Sequence, residues 1–532
     1  MKLNIFKYIT PIIVLSATLL SSCEELELDT KGTVPEENYF TIENALEPAV
    51  VGIYARVHRG TWALDQCAPY YGADDLTSRT GSNKQPVLEA DQFARTDGNS
   101  WVANTYNLYY DAINACNSLI SGVERDGENL DPAQATNAIA NARFIRGMLY
   151  FRLATSFKNI PMPLTSELDL TISRTPYQEV MNQVISDLKY AEKFLNSARD
   201  GNPEAIDGHA TIVAAKAFLA KTYMQLTGYP TDLTSIIVGD ETIILWDEVQ
   251  RLTKEIIDEG KYSLTDDFAA CFQEPTQINK EMIFSHMCTR GAGAVKAESR
   301  YYGFKWRDWG DCYLEHKFSD AYPDGYRRHF SIVTIADTIT KTDKTTKEYK
   351  PFIKTWKHPM VSKFSYGTIK GNPGFEHKWQ TSNDCPAMRT AEVYLMYAEA
   401  CARKSEFTEA KRYLNYIKRR ASARGTTTQA EAQALPMGFW MDDSYTMDDY
   451  SGADVVDELV DAIVMERAYE FLGETGGNRW LDLLRLRRIA EVNEYRKTAD
   501  NEEEMIGDPA DETQWWTPLP GTELILNPNL VE

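Results

Sequence analysis

Residues 388–424 read MRTAEVYLMYAEACARKSEFTEAKRYLNYIKRRASAR, and the stretch decides the fold class because it divides into two helices of opposite bias. In the second half Phe407, Ala410, Leu414, Ile417 and Ala421 recur at alternating spacings of three and four. That is one apolar stripe down a helix whose other faces carry Lys411, Arg412, Lys418, Arg419 and Arg420. In the first half Ala391, Tyr394, Leu395, Ala398 and Cys401 or Ala402 share a face, while Arg389, Glu392, Glu399 and Arg403 are expected on wet faces. About five residues remain for the turn, so the two helices must be antiparallel neighbours.

Ala398 and Ala410 stand twelve residues apart, the separation of the small positions at which the paired helices of a tetratricopeptide-type repeat touch most closely. An ordinary helical hairpin with alanines at its crossing fits these residues equally. Elsewhere the helical patterns also come in succession: 36–57, 101–120, 135–157 stopped by Pro161 and Pro163, 177–195, an alanine-rich 208–226, 245–257, then 455–472 and 479–492. From about 262 to 384 the character changes to glycine, proline and aromatics without helical period. The threonine-dense alternation from Ile332 to Tyr349 reads as a hairpin. The expected chain is mainly α: helix pairs over about 38–260 and 385–532, interrupted by an irregular, partly β insertion over 261–384. Insertions on rigid scaffolds are where binding surfaces sit.

The chain begins with Lys2 and Lys7 before an apolar run from Ile9 to Leu20, which ends in Leu20-Ser21-Ser22-Cys23. The run is too short to span a bilayer as a permanent helix and reads as a secretory signal, residues 1–22, of the bacterial lipoprotein kind. Cys23 then becomes the amino terminus and carries the lipid. Glu24, Glu25, Glu27 and Asp29 follow at once, and the polar residues 23–37 read as a tether to a single domain over 38–532.

Removing residues 1–22 takes away two lysines and no acid, moving the formal charge from −22 to −24. Such a surface does not seek nucleic acid or an anionic membrane. With 43 % apolar and 25 % charged residues the composition is that of a globular protein with a large core. Eight cysteines, at 23, 67, 116, 271, 288, 312, 385 and 401, show no CxxC and no metal-like spacing. Lipidation of the first leaves an odd seven, which read mostly as buried thiols with room for one or two bridges.

Several blocks together are distinctive: VPEENYFTIENALEPAVVGIY at 34–54, ARFIRGMLYFRLATSFKNIPMPL at 142–164, MRTAEVYLMYAEA at 388–400, ERAYEFLGE at 466–474, NRWLDLLR at 478–485 and WWTPLPGTELILNPNL at 515–530. With the lipid-cysteine start, these resemble the SusD/RagB family of surface lipoproteins, which bind nutrients for a SusC-like TonB-dependent outer-membrane transporter. One departure is the glycine turn Thr475-Gly476-Gly477-Asn478, longer than the family's usual one. The resemblance implies four tetratricopeptide-like helix pairs, a glycan or other nutrient as ligand, a SusC-like partner, and a lipid anchor on the outer face of the outer membrane.

Catalytic and metal motifs are not what this sequence offers. The seven histidines form no HExxH or other close pair, and neither a GxSxG elbow nor a P-loop occurs. A glycosidase acid and base could still lie apart in sequence among the many carboxylates, and that is the rival enzymatic reading. No cofactor is called for, although Asp442, Asp443, Asp448, Asp449 and Asp454 could hold a structural calcium ion or form a solvated acidic loop.

Binding residues are expected in the insertion. Tyr301, Tyr302, Phe304, Trp306, Trp309 and Tyr313 fall within thirteen residues, where an 11 % aromatic composition would place one or two. A sugar offers flat C–H patches rimmed by hydroxyls, so its site needs exposed aromatic faces with polar groups at the edge. Arg300, Lys305, Arg307, Asp308 and Asp311 can supply that edge. A small aromatic core pinning the insertion to the helices is the alternative. Trp101 and Asn104 resemble a tryptophan and an asparagine that contact glycan in the starch-binding member of the family, and Arg79 and Lys84 lie in the loop before them.

Overall fold

In the computed structural model the described residues are 39–59 except 43, 70–78, 85–196, 201–202, 208–238, 240–273, 276, 278–287, 313–333, 358–364, 384–451, 455–474, 476–496 and 505–531. In chain order the elements are α1 (Leu46–Arg59), β1 (Leu76–Thr77), α2 (Gln85–Asp91), α3 (Ser100–Asp126), α4 (Pro132–Phe157), α5 (Tyr177–Phe194) and α6 (Ile212–Leu226). Then come β2 (Ser235–Val238), β3 (Glu241–Ile244), α7 (Leu245–Glu259), β4 (Met282–His286), β5 (Tyr313–Leu314), α8 (His316–Ala321), α9 (Tyr326–Ser331), β6 (Ile332–Val333) and β7 (Met360–Val361). The chain closes with β8 (Cys385–Arg389), α10 (Thr390–Arg403), α11 (Phe407–Ser422), α12 (Gln429–Gln433), α13 (Val455–Glu470), α14 (Asn478–Arg485), α15 (Ile489–Arg496) and α16 (Gly521–Leu526).

The helices start where the sequence provides an acceptor for their first amides. Asn99 caps α3 by accepting from the amides of Trp101 and Val102, Asp131 caps α4 ahead of Pro132, and Thr211 caps α6. Eight helices then pack each on the next, in the order α3, α4, α5, α6, α7, α10, α11, α13. The architecture is therefore mainly α, a succession of antiparallel pairs, with α7 and α10 in direct contact although more than a hundred residues separate them in the chain. Strands occur only in short antiparallel pairs among the described residues: β1–β5, β2–β3, β4–β8 and β6–β7. Ile332, where a hairpin was expected to start, pairs instead with Val361; residues 334–350 lie outside the described set.

The hairpin read first from sequence is α10 and α11, and both apolar stripes are inside: Ala391, Leu395, Ala398, Ala410, Leu414 and Ile417 are all buried. The expectation that their charges face water fails. Arg389, Glu392, Glu399, Arg419 and Arg420 are buried as well, because α10 is wrapped by α7, α11 and α13 and has no wet face left. Such burial is tolerable only when the charges meet one another.

They do so in two sets. In the first, Arg327, Lys363, Arg389 and Arg420 face Glu281, Glu466, Glu470 and Glu474, four cations against four carboxylates. In the second, Lys221, Arg467 and Arg485 face Glu392, Glu399 and Asp482. The block ERAYEFLGE followed by NRWLDLLR is thus mostly a supply of buried charge, and the first set bolts α9 and the 281 and 363 segments onto α10, α11 and α13. The long glycine turn between the two blocks places Gly477 at φ 60° as the cap of α14, against the ring of Tyr70, where a Cβ would come within 2.3 Å.

The acidic loop after α12 is held in the same way at the surface. Asp442 meets Arg424, Asp443 meets Arg419, Asp448 meets Lys418 and Asp449 meets Lys411; Asp454 lies outside the described residues. Cys116, Cys271 and Cys401 are buried free thiols, and Cys385 is buried in β8.

Candidate functional site

The two strands β1 and β5 are only two residues long, yet they fix the site's layout. Leu76 pairs with Leu314 and Thr77 with Tyr313, antiparallel. Thr77, two residues before Arg79 in the sequence, therefore lies beside Tyr313, which follows the stretch 301–312. One carboxylate and one guanidinium secure this junction. Asp91, at the end of α2, accepts from the Ser78 amide at 3.0 Å and the Thr77 hydroxyl at 3.1 Å. Arg496, at the end of α15, binds Asp91 through Nη2 and Glu315, which follows β5 directly, through Nε at 2.7 Å. All three are buried, so the pairing rests on charge-assisted bonds in a dry setting.

The start of α3 is brought to the same place by its cap. Asn99 accepts from the Trp101 and Val102 amides and donates Nδ2 to the Pro86 carbonyl at 2.9 Å and to Glu89 at 3.1 Å. Pro86 belongs to the first turn of α2, immediately after residues 79–84. Trp101 is half-buried, leaning on the core built by α10, α11 and α13 together with Leu76. Asn104, one turn further, is exposed. A partly exposed indole with an amide on its flank can stack a sugar ring and bond its hydroxyls.

Arg79, Tyr301, Tyr302, Trp306 and Trp309 lie outside the described residues. Of the aromatic run Tyr313 is described, and it is core: buried in β5, with its ring 6.3 Å from His358. Asp91, Arg496 and Glu315 were not singled out from the sequence. They are separated by up to 405 residues, and nothing local marks them apart from Arg496 closing a helix.

Among the described residues no three His, Cys, Asp or Glu side chains are grouped as metal ligands. The buried carboxylates Glu281, Glu399, Glu470 and Asp482 all sit below their ordinary pKa: burial would raise each, and the adjoining arginines outweigh it. A glycosidase acid needs the opposite shift. Asp75, just before β1, has it: burial and the neighbouring Asp74 raise its pKa to about 7. Asp74 itself is held by Arg479 through two bonds of 2.6 and 2.7 Å.

Comparison with known proteins bears directly on this architecture. Residues 274–532 match the model of the SusD family, and residues 26–224 match the family described as starch-binding, associating with outer membrane. The chain is a SusD-like protein. A SusD-like protein of Formosa agariphila is 26% identical over 555 residues, covering 99% of this chain and 98% of that one. Another, from Bacteroides ovatus, is 22% identical over 421 residues, 73% of this chain and 71% of that one. Among solved structures, a SusD homolog from Bacteroides thetaiotaomicron superposes with a TM-score of 0.72 at 19% identity, over 93% of this chain and 97% of that one. A surface glycan-binding protein A from the same organism gives 0.69 at 18%, over 92% and 98%. These two likenesses are of fold. In this chain the SusD-like, tetratricopeptide-like helix succession carries further segments held to it by buried charge.

Proposed function

We propose that this SusD-like protein binds an oligosaccharide at the bacterial surface without turning it over and passes it to a SusC-like TonB-dependent transporter. Carbohydrate binding is what the family supports, through its starch-binding description and through the glycan-binding structural neighbour. The observation that carries the reading in this chain is the β1–β5 register together with the Asn99 cap. The register sets Thr77 beside Tyr313, and the cap ties the start of α3, which carries Trp101 and Asn104, to the first turn of α2; both support a site that draws on Trp101, Asn104, Arg79, Tyr301, Tyr302, Trp306 and Trp309.

Anchoring through a Cys23 lipid fits the layout of α3. The first described core residue after the tether, Phe40, lies on Gly122, where any Cβ would meet its ring at 2.3 Å. Trp101 is 21 residues back along the same helix, about 30 Å away at 1.5 Å per residue. Phe40 and Trp101 therefore stand toward opposite ends of α3. A tethered binder with no helix among its described residues that is long and apolar enough to cross a membrane needs another protein to move its ligand inward, and a SusC-like barrel is the partner the family resemblance supplies.

The deciding experiment is incubation of purified protein with a glycan panel, read for binding by calorimetry and for products by chromatography. Retention of intact glycan supports the reading. Sustained cleavage that survives repurification and vanishes with one carboxylate change, Asp75→Asn first, makes the protein an enzyme. Pull-down from mildly solubilised outer membrane is expected to recover a SusC-like transporter in near-equal amount.

Two variants follow. Trp101→Ala is expected to weaken glycan binding roughly tenfold, since a sugar face on an indole hides about 60–80 Å² at about 25 cal/mol per Å². If Trp101 only packs, affinity stays unchanged while the melting temperature falls. Cys23→Ser is expected to leave a folded protein that no longer sediments with membranes, because one lipid is the apolar anchor this sequence offers. Equal membrane retention of mutant and wild type would defeat that expectation.

A further inference from the structure

A pocket of about 400 Å³ opens where α4 ends and the 513–518 segment crosses it. The whole protein is strongly acidic, yet the lining residues include Arg95, Lys158 and Arg174 and no Asp or Glu. A second cavity, about 370 Å³, shows the reverse: Glu167, Asp169 and Glu523 line it, with no Lys, Arg or His. The first is therefore a local inversion of sign.

Two of its cations form no ion pair with the described residues. Arg95 gives Nη1 to the Gln514 carbonyl at 2.9 Å and Nη2 to the Tyr71 carbonyl, and its guanidinium stacks 5.0 Å from both Phe93 and Trp480. Its buried Nε makes no hydrogen bond. Burial lowers its pKa to about 10, and the charge of Asp91 only partly opposes it. Lys158, at φ 65° and ψ −90° just past α4, sits 5.7 Å from the Trp516 ring, a strained backbone that ordinary helix ending does not require. Beside them Thr517, only 3% exposed, leaves its hydroxyl without any hydrogen-bond partner. Of the two acids that precede Thr513, Asp511 accepts from the Thr513 amide and hydroxyl and from Gln514, and Glu512 lies 4.0 Å from Arg487.

The pocket shares the end of the molecule that carries Trp101. Helices α3 and α4 are antiparallel neighbours, and Tyr106, in the second turn of α3, packs its ring 5.5 Å from Phe157, the last residue of α4 and part of the pocket wall. Positive charge, a spare hydroxyl and the Trp516 ring match an oxyanion borne on a sugar: the cations attract it, the hydroxyl donates to it, and the volume admits about one sugar unit.

We propose that this pocket holds a sulfate or carboxylate group of the bound saccharide, so that the protein selects acidic glycans over neutral ones. The proposal rests on the glycan-binding reading above and narrows its substrate class. The test uses full-length protein and an array in which each glycan is present in its acidic form and in a charge-neutralised form, sulfate esters removed in one arm and uronates methyl-esterified in the other. Wild type is expected to bind acidic members roughly tenfold more tightly, the effect of one or two charge-assisted hydrogen bonds. The arm that shows the preference identifies the anion.

Lys158 also compensates the carboxyl-terminal end of α4, so Lys158→Gln is expected to lower stability somewhat. The informative quantity is the ratio of acidic to neutral affinity, which a loss of stability does not move. Lys158→Gln and Thr517→Val are each expected to reduce that ratio while neutral glycans bind as before. Neutral binding with no acidic preference in wild type, or a preference that survives both substitutions, overturns the pocket and leaves glycan binding standing. Failure to bind any member of the array overturns both.

Discussion

Replacing Arg420 with methionine is expected to destabilise the protein by about 3–5 kcal/mol, because it breaks a buried pair from one side. Arg420 is fully buried and its guanidinium bridges Glu281 and Glu470, which are themselves fully buried. Methionine fills most of the volume, so the loss measures stranded charge rather than a cavity. Glu470 keeps Arg327 and Arg389, and Glu281 keeps Arg389, but a set of four against four becomes three against four in a dry interior. The contrast is Lys254→Ala, which removes an equally short pair with Asp258 on the exposed face of α7; about 0.5 kcal/mol or less is expected there. Urea unfolding of both variants decides it, with the midpoint shifting and the slope unchanged. A loss for Arg420→Met as small as that of the surface pair would mean that the remaining charges re-pair freely and that the set bolts nothing.

That set also shows where reading by periodicity succeeds and where it stops. The stripes of α10 and α11 were visible because apolar residues at spacings of three and four have one cause, a helix face turned inward. The fate of Arg389, Glu392, Glu399 and Arg420 was not visible, because a charge at such a spacing looks the same whether it meets water or a partner eighty residues away. The helix expected from 101 starts at Ser100 and the one expected from 135 starts at Pro132, where the caps Asn99 and Asp131 went unread; the bounds of α1 and the split of 479–492 into α14 and α15 were not visible either. For the candidate site, Trp101 and Asn104 were named from resemblance. The junction that positions them, Asp91 with Arg496 and Glu315, depends on residues from three distant helical segments and has no sequence signature. The pocket around Lys158 was hidden for the same reason: its cations come from three separate stretches, and only folding shows that no carboxylate accompanies them.

Titration from neutral to acid is expected to produce a stability profile with two opposed limbs. Asp75 has a folded pKa raised to about 7 from an ordinary 3.8, chiefly by burial and then by Asp74. Between those values the folded state holds more protons than the unfolded one, so this group makes the protein more stable as pH falls from about 7 toward 4. The carboxylates of the buried sets act in the other direction. Burial would raise Glu470, but Arg420, Arg389, Arg327 and Lys363 outweigh it and bring it down to about 2 from an ordinary 4.5. Glu281 and Glu399 are also lowered, by Arg420 with Arg389 and by Arg485 respectively, and Asp482 by Arg467 with Arg485. For each the unfolded state takes up the proton first, so their stabilisation is complete above about 4.5 and is lost as pH drops toward the lowered values. Glu192 is raised by burial like Asp75, but the lowered carboxylates outnumber these two, so the acid limb is expected to be the steeper. Thermal melts from pH 8 to 3 are therefore expected to show a shallow rise, then a collapse below about pH 4.5. Asp75→Asn should remove most of the rise and keep the collapse. Arg420→Met should begin the collapse at higher pH, because Glu281 and Glu470 then protonate more readily; a collapse at unchanged pH in that variant would place the acid sensitivity outside the buried set.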